Sequence, residues 1–186
     1  MREVGTALAL WKLVHRQGKT AAAMQTALRG VTAFSIAGMV FTADRLFKCS
    51  VESMPDEAFP RDCGGLRPGK LRFEKHHNPG FAFGTLKEEP RLVAAVPAAT
   101  AAAAAVQLLA LCTGKKGRLR RLGLALILGG GLSNLYDRLR FGYVIDFLNI
   151  RFGFLKKVVL NIGDLAIACG ALLLAVSGLF GEGRAD

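Results

Sequence analysis

Three small groups of polar residues in this chain are set in or beside apolar runs, and their types and spacing suit acid–base chemistry. Asp164 is the one acid in the apolar run 158–181, and Asn161 stands three residues before it, so a helix there puts amide and carboxyl on one face. At 1.5 Å of rise per residue the acid lies roughly 9 Å into that run. Asn134, Asp137 and Arg138 are spaced i, i+3 and i+4 at the end of another run, and Asp44 and Lys48 form an i, i+4 pair at the end of a third. A carboxylate in hydrocarbon is costly unless it is paired, neutralised or water-facing, which makes each of these acids a functional candidate. Two carboxyls that share a site cannot both ionise comfortably, so the pair holds one proton. Its ionised member can then activate a water while the protonated member polarises a carbonyl. Spacing alone leaves Asp137 in contention as the partner of Asp164.

Other chemistries find less support. No serine or cysteine has an evident base beside it, and no HExxH or comparable ligand set occurs, so no metal and no cofactor are expected. Of the four cysteines, Cys112 and Cys169 lie in apolar runs, where a thiol behaves as a small hydrophobe. Cys49 and Cys63 share a polar segment, in which a disulfide and two free thiols are equal alternatives. The three histidines, His15, His76 and His77, are too scattered for a metal site. The net charge of +11 invites a nucleic-acid reading, but aromatics are only 8% of the chain and do not alternate with the basic residues, so no nucleic-acid partner is expected.

The elements that must position these residues follow from the charge pattern. Of 186 residues, 52% are hydrophobic and gathered into long blocks separated by short charged ones, the layout of a multi-pass membrane protein. Residues 1–29 are basic and form a cytoplasmic extension with some amphipathic helix; they lack the layout of a cleavable signal peptide. A first span is expected over 30–47, with Asp44 at its far boundary because the uncharged stretch 30–43 is short for a bilayer. Residues 48–91 form an outer segment in which the run LRFEKHHNPGFAFG predicts short strands. A second span follows over 92–113, with a polyalanine core suited to close packing and with Pro97 near one end. Between Lys115 and Arg121 come five basic residues and no acid, which places this loop in the cytoplasm. The third span covers 122–136, where glycines 129–131 read as packing sites, and 137–157 form a second outer segment. The fourth span covers 158–181, and 182–186 are a cytoplasmic tail. The fold class is thus an all-α membrane protein, four transmembrane helices over 30–181 with a small β-containing segment on the outer side. Both termini are cytoplasmic, and all three polar groups fall at one membrane level.

Five segments in order, DRLFK (44–48), NPGFAFG (78–84), GGGLSNLYDR (129–138), GYVIDF (142–147) and LNIGD (160–164), resemble the signature blocks of bacterial lipoprotein signal peptidases, the type II signal peptidases. The resemblance covers roughly residues 30–180. It implies an intramembrane aspartic endopeptidase of the bacterial inner membrane, active near the periplasmic face, that removes the signal peptide from a diacylglyceryl-modified prolipoprotein just before the lipid-bearing cysteine. By the same resemblance the catalytic pair falls on Asp146 and Asp164. Asp137 becomes a structural support, Asn78, Gly80, Asn134, Arg138 and Asn161 orient the pair and the substrate, and Asp44 and Lys48 brace the site. The implied partners are the diacylated prolipoprotein and membrane lipids, with the chain itself a monomer. The chain departs from the family's usual residues at Pro79, Phe81, Ser133, Leu160 and Gly163, none of which removes a carboxyl or a supporting amide.

Two rival functions remain at this stage. One is a non-cleaving homologue that binds lipoproteins, motivated by Phe81 and Gly163. The other is a proton-linked carrier using the intramembrane acids as a relay, which four spans without an internal repeat argue against. For Asp44 with Lys48, and for Asp137 with Arg138, a structural ion pair is favoured over proton transfer.

Overall fold

The computed structural model describes residues 2–62, 70–80, 88–153, 156 and 158–179, with side chains from residue 17 onward and Pro90 excepted. Among these residues are four long helices and a four-stranded antiparallel sheet. Helix α1 runs over Arg2–Glu52 as one element, so residues 2–29 continue the helix of the first span. No proline interrupts it before Pro55, and there the chain turns: the Ser53 and Met54 N–H groups fold back onto the carbonyls of Cys49 and Val51 at 3.0 and 3.2 Å. At 1.5 Å per residue the helix is roughly 75 Å long, well beyond the roughly 30 Å of a hydrocarbon core. Helix α2 (Pro90–Thr113) opens on proline, whose missing N–H costs nothing at a first turn.

Helix α3 (Arg118–Phe141) lies between Gly117 and Gly142, both in the left-handed region at φ 83° and 81°. The Gly142 N–H closes the last turn onto the Arg138 carbonyl at 3.1 Å. This helix therefore extends one turn beyond 136 and carries Asp137 and Arg138 within it. Helix α4 (Ile162–Leu179) starts later than the apolar run does, because Val159–Leu160 is strand β4. Asp164 accordingly sits in the first turn of α4 and not deep within a span.

Helix α3 packs against the three other helices. Its approach to α4 is backbone to backbone: a Cβ on Gly123 would meet the Gly170 carbonyl oxygen at 2.7 Å. Of glycines 129–131, Gly129 abuts Ala37 of α1 and Gly130 abuts Gly163 of α4, while Gly131 faces open space. The buried core is made largely of small residues, Ala33, Ala37, Ala101, Ala104 and Ala125, joined by Leu108, Leu124 and Leu128. Larger apolar side chains such as Met39, Val106, Leu109 and Leu172 point outward. Small inside and large outside is the distribution expected where the surroundings are lipid and tight packing holds the helices together. Three helical segments, Gln17–Glu52, Arg91–Thr113 and Ile162–Leu179, are long and apolar enough to cross a membrane.

The sheet has the order β1-β2-β3-β4, with β1 at Arg61–Asp62, β2 at Leu71–Asn78, β3 at Val144–Ile150 and β4 at Val159–Leu160. Strand β2 falls where short strands were expected; the last four residues of that run, 81–84, lie outside the described residues, as does Cys63. Strand β3 was not anticipated. Its segment has buried residues on both faces, Val144, Ile145, Asp146 and Phe147 in succession, so it lacks the alternation that marks a half-exposed strand. It pairs with β2 in the register His76↔Asp146 and Asn78↔Val144, and with β4 through Leu148↔Leu160. Phe147 is stacked between Phe47 of α1 and Phe73 of β2, with ring centroids 6.0 and 6.4 Å away, which fastens the sheet to the end of the helix bundle.

Candidate active site

Four carboxyl groups are gathered where the sheet meets the bundle, and they divide into two pairs. Asp44, Asp137 and Lys48 are fully buried. The Lys48 ammonium uses its three protons on Asp44 Oδ2 at 2.6 Å, Asp137 Oδ2 at 2.8 Å and the Asn134 amide oxygen at 2.7 Å. Arg45 adds a second cation on Asp137 and lies over the Tyr136 ring, 4.6 Å from its centroid. Asp44 also accepts bonds from Ser133 Oγ at 2.6 Å and the Gly163 N–H at 3.0 Å, and Asp137 accepts one from the Ile145 N–H at 3.3 Å. Two negative charges thus meet two positive ones, and further donors fill the remaining lone pairs. This pair ties α1, α3, α4 and β3 together.

Asp146 and Asp164 are held differently, by amides. Asp146, 2% exposed, projects from the middle of β3 and accepts bonds from the side-chain amides of Asn78 at 3.2 Å and Asn161 at 2.7 Å. Asp164 accepts one from the Asn134 amide at 2.8 Å and one from the Asn161 backbone N–H at 3.1 Å. Asn161 in turn takes the Asp164 N–H on its side-chain oxygen at 2.8 Å. This reciprocal pair of bonds is a capping box at the start of α4, built from Asn-x-x-Asp. It turns Asn161 into a bracket that grips Asp164 with its backbone and oxygen and Asp146 with its NH₂. Among the described residues neither carboxyl is in a salt bridge. Burial above all, and then the charge of Asp164, pushes the Asp146 carboxyl up to about 7, against the opposing bonds from Asn78 and Asn161.

The other residues expected at the site fall around these two. Arg138 donates to the carbonyls of Asn134 and Gly80, each at 3.2 Å, so it joins α3 to the bend after β2. Gly80 gives its own N–H to the Asn78 amide oxygen at 3.0 Å, which turns the Asn78 NH₂ toward Asp146. Lys48 sets Asn134 in the same way: by taking the amide oxygen, it leaves the NH₂ for Asp164. Every residue expected at the site is therefore brought to one place. Phe81 lies outside the described residues. The reading of Asn161 as a same-face helical neighbour of Asp164 is corrected, since it stands before the helix as its cap. Two contributors went unanticipated. Arg45 beside Asp44 carried no signal of its own, whereas the Asn-x-x-Asp spacing before an apolar run was visible as a helix start. Ser133 was expected only as a departure, yet it holds Asp44 in place.

Comparison with known proteins identifies the family. A family model described as signal peptidase (SPase) II matches residues 36–180. The chain is 37% identical over 142 residues to the lipoprotein signal peptidase of Moorella thermoacetica, covering 75% of this chain and 87% of that one. It is 41% identical over 145 residues to that of Syntrophus aciditrophicus, with the same coverages of 75% and 87%. Among solved structures, a bacterial membrane enzyme determined by the in meso method at 2.3 Å resolution shares the fold, with a TM-score of 0.67, 23% identity, and coverage of 83% of this chain and 92% of that one. The chain belongs to the signal peptidase II family, the lipoprotein signal peptidases, which are aspartic peptidases of the bacterial membrane.

Proposed function

We propose that Asp146 and Asp164 are the catalytic pair, and that the enzyme cuts a diacylglyceryl-modified prolipoprotein just before its lipid-bearing cysteine. The observation that carries this reading is the position of Asn161, bonded at once to both carboxyls. The two acids share one proton. The ionised carboxylate takes a proton from a water as the water oxygen bonds to the scissile carbonyl carbon, and the protonated carboxyl hydrogen-bonds to the carbonyl oxygen and protonates it. The tetrahedral intermediate then collapses: its C–N bond breaks, the amine leaves with a proton from the pair, and the signal peptide departs with a free carboxylate. Asn78, Gly80, Asn134 and Arg138 position the pair and the substrate backbone, and Asp44, Lys48 and Asp137 hold the elements that carry them.

In the same reading α3 is a fourth span, both termini are cytoplasmic, and the sheet with its carboxyls lies at the outer face. Support comes from the charge pattern: the basic loop 115–121 and the basic residues before 30 then fall on one side. The chain acts as a monomer, supplying both carboxyls and all their supports itself. Gel-shift cleavage of a purified diacylglyceryl prolipoprotein tests the assignment. Asp146→Asn and Asp164→Asn are each expected to insert and to leave the substrate essentially uncut over the time in which wild type completes cleavage. Cleavage by either at a rate near wild type would reject the pair, and an inactive Asp137→Asn beside an active Asp146→Asn would move it.

A further inference from the structure

At the end of the bundle away from the carboxyls, α1 and α3 leave a groove of about 420 Å³ between them. Arg29 and Leu122, which line it, are each fifteen residues along their helices from Asp44 and Asp137, or roughly 22 Å. Both helices contribute polar and apolar lining. Arg29, Arg118, Arg121 and Thr32 supply cationic and polar groups, while Leu28 and Ile36 lead the apolar lining. Among the described residues none of the three arginines is in a salt bridge. The sequence has no acid between Glu3 and Asp44, or between Glu89 and Asp137.

The three guanidiniums differ in how far they are committed. Arg121 donates to the carbonyls of Leu111, Gly114 and Lys116, capping the end of α2, and so contributes a fixed charge. Arg29 holds only the Cys112 carbonyl and the Gln25 side chain, at 3.4 and 3.3 Å, and Arg118 is exposed. Planar guanidiniums with donors to spare match a phosphate diester better than they match bulk lipid. The apolar side chains among them offer a free anion nothing. A molecule with an anionic phosphate at one end and hydrocarbon at the other satisfies both kinds of lining, and basic pockets between membrane helices bind such headgroups.

We infer that this groove is a binding site for an anionic phospholipid, with the phosphate on Arg29 and Arg118 and the upper part of one acyl chain along Leu28 and Ile36. Native mass spectrometry of the full chain in detergent, titrated with phosphatidylglycerol or phosphatidylcholine, tests it. Wild type is expected to retain phosphatidylglycerol at about tenfold lower concentration than phosphatidylcholine, and Arg29→Gln/Arg118→Gln to lose that preference. Lys115→Gln/Lys116→Gln, which removes equal charge from the adjoining α2–α3 loop but not from the groove, is expected to keep it. Thr32→Trp, which fills the groove with every charge left in place, is expected to lose it. Equal retention of the two lipids by wild type overturns the site. So does loss of the preference in the lysine variant, retention in Thr32→Trp, or displacement of the lipid by millimolar inorganic phosphate.

Discussion

The two buried carboxyl pairs lie side by side and share partners, yet their surroundings are opposite. Asp44 and Asp137 meet Lys48 and Arg45 at ion-pair distance, so both are fully compensated charges. Asp146 and Asp164 meet amides, which can orient a carboxyl but cannot neutralise it. The lesson is that a buried acid with a cation on it is a strut, whereas a buried acid with only amides on it is free to exchange a proton. Lys48 joins the two pairs, since its third bond sets the Asn134 amide that holds Asp164.

The sharpest way to break this contrast is to neutralise one acid of each pair. Asp146→Asn and Asp164→Asn are expected to lower cleavage by about 10²–10⁴-fold while the protein stays folded, measured by single-turnover gel shift. If instead Asp44→Asn or Asp137→Asn removed cleavage without changing stability, the roles would be reversed. Lys48→Met leaves Asp44 buried without a cation and Asp137 with Arg45 alone, and is expected to destabilise the fold by about 3–5 kcal/mol in thermal unfolding. No comparable loss is expected from Asn78→Ala, which removes only one of the two amides on Asp146.

Asn161→Ala sharpens the comparison, because it removes a neutral bracket and no charge. It is expected to slow cleavage by about 10–100-fold and to weaken the start of α4 by about 1 kcal/mol. The pH profile adds a sign. Burial and the neighbouring Asp164 push Asp146 up to about 7, so below that value it keeps its proton, and above it Asp146 no longer supplies an acid to assist the carbonyl. Cleavage is therefore expected to fall about tenfold per pH unit on the alkaline side, with a limb near 7. Stability follows the same direction: a carboxyl raised in the folded state contributes fully below its unfolded value, and that contribution is lost as pH rises through 7. Asn161→Ala takes away a donor that favours the ionised form, so the alkaline limb is expected to move upward. A downward shift in the measured pH–rate profile would contradict the bracket.

The smallest effect belongs to the rim of the compensated pair. Arg45→Lys keeps a charge near Asp137 but loses the flat guanidinium over Tyr136, and is expected to cost about 1 kcal/mol in stability with cleavage nearly unchanged. A large loss of cleavage there would mean that Asp137 belongs to the chemistry after all.

What the sequence determined by itself was everything decided within a few turns of chain. Apolar and basic runs marked the helices, Gly129 and Gly130 marked contact points, and Asn161 was tied to Asp164 by spacing, although inside the last helix and not at its start. The order of five short blocks named the family and, through it, Asp146. Only the tertiary structure decided how the acids are divided. Asp137 and Asp146 are both acids near the end of the same span, and no local window separates them. They part company because Asp137 meets Lys48 and Arg45 from a helix some ninety residues earlier, at separations of 89 and 92 positions, while Asp146 is carried away on a strand whose principal neighbour, β2, comes from some seventy residues earlier in the chain. Strand β3 escaped notice for the same reason: a segment buried on both faces has no alternation, and its longer hydrogen-bond partner, β2, is some seventy residues earlier. Pairing across such distances depends on which backbones and charges meet in space, and that is fixed only when the sheet closes over the end of the bundle.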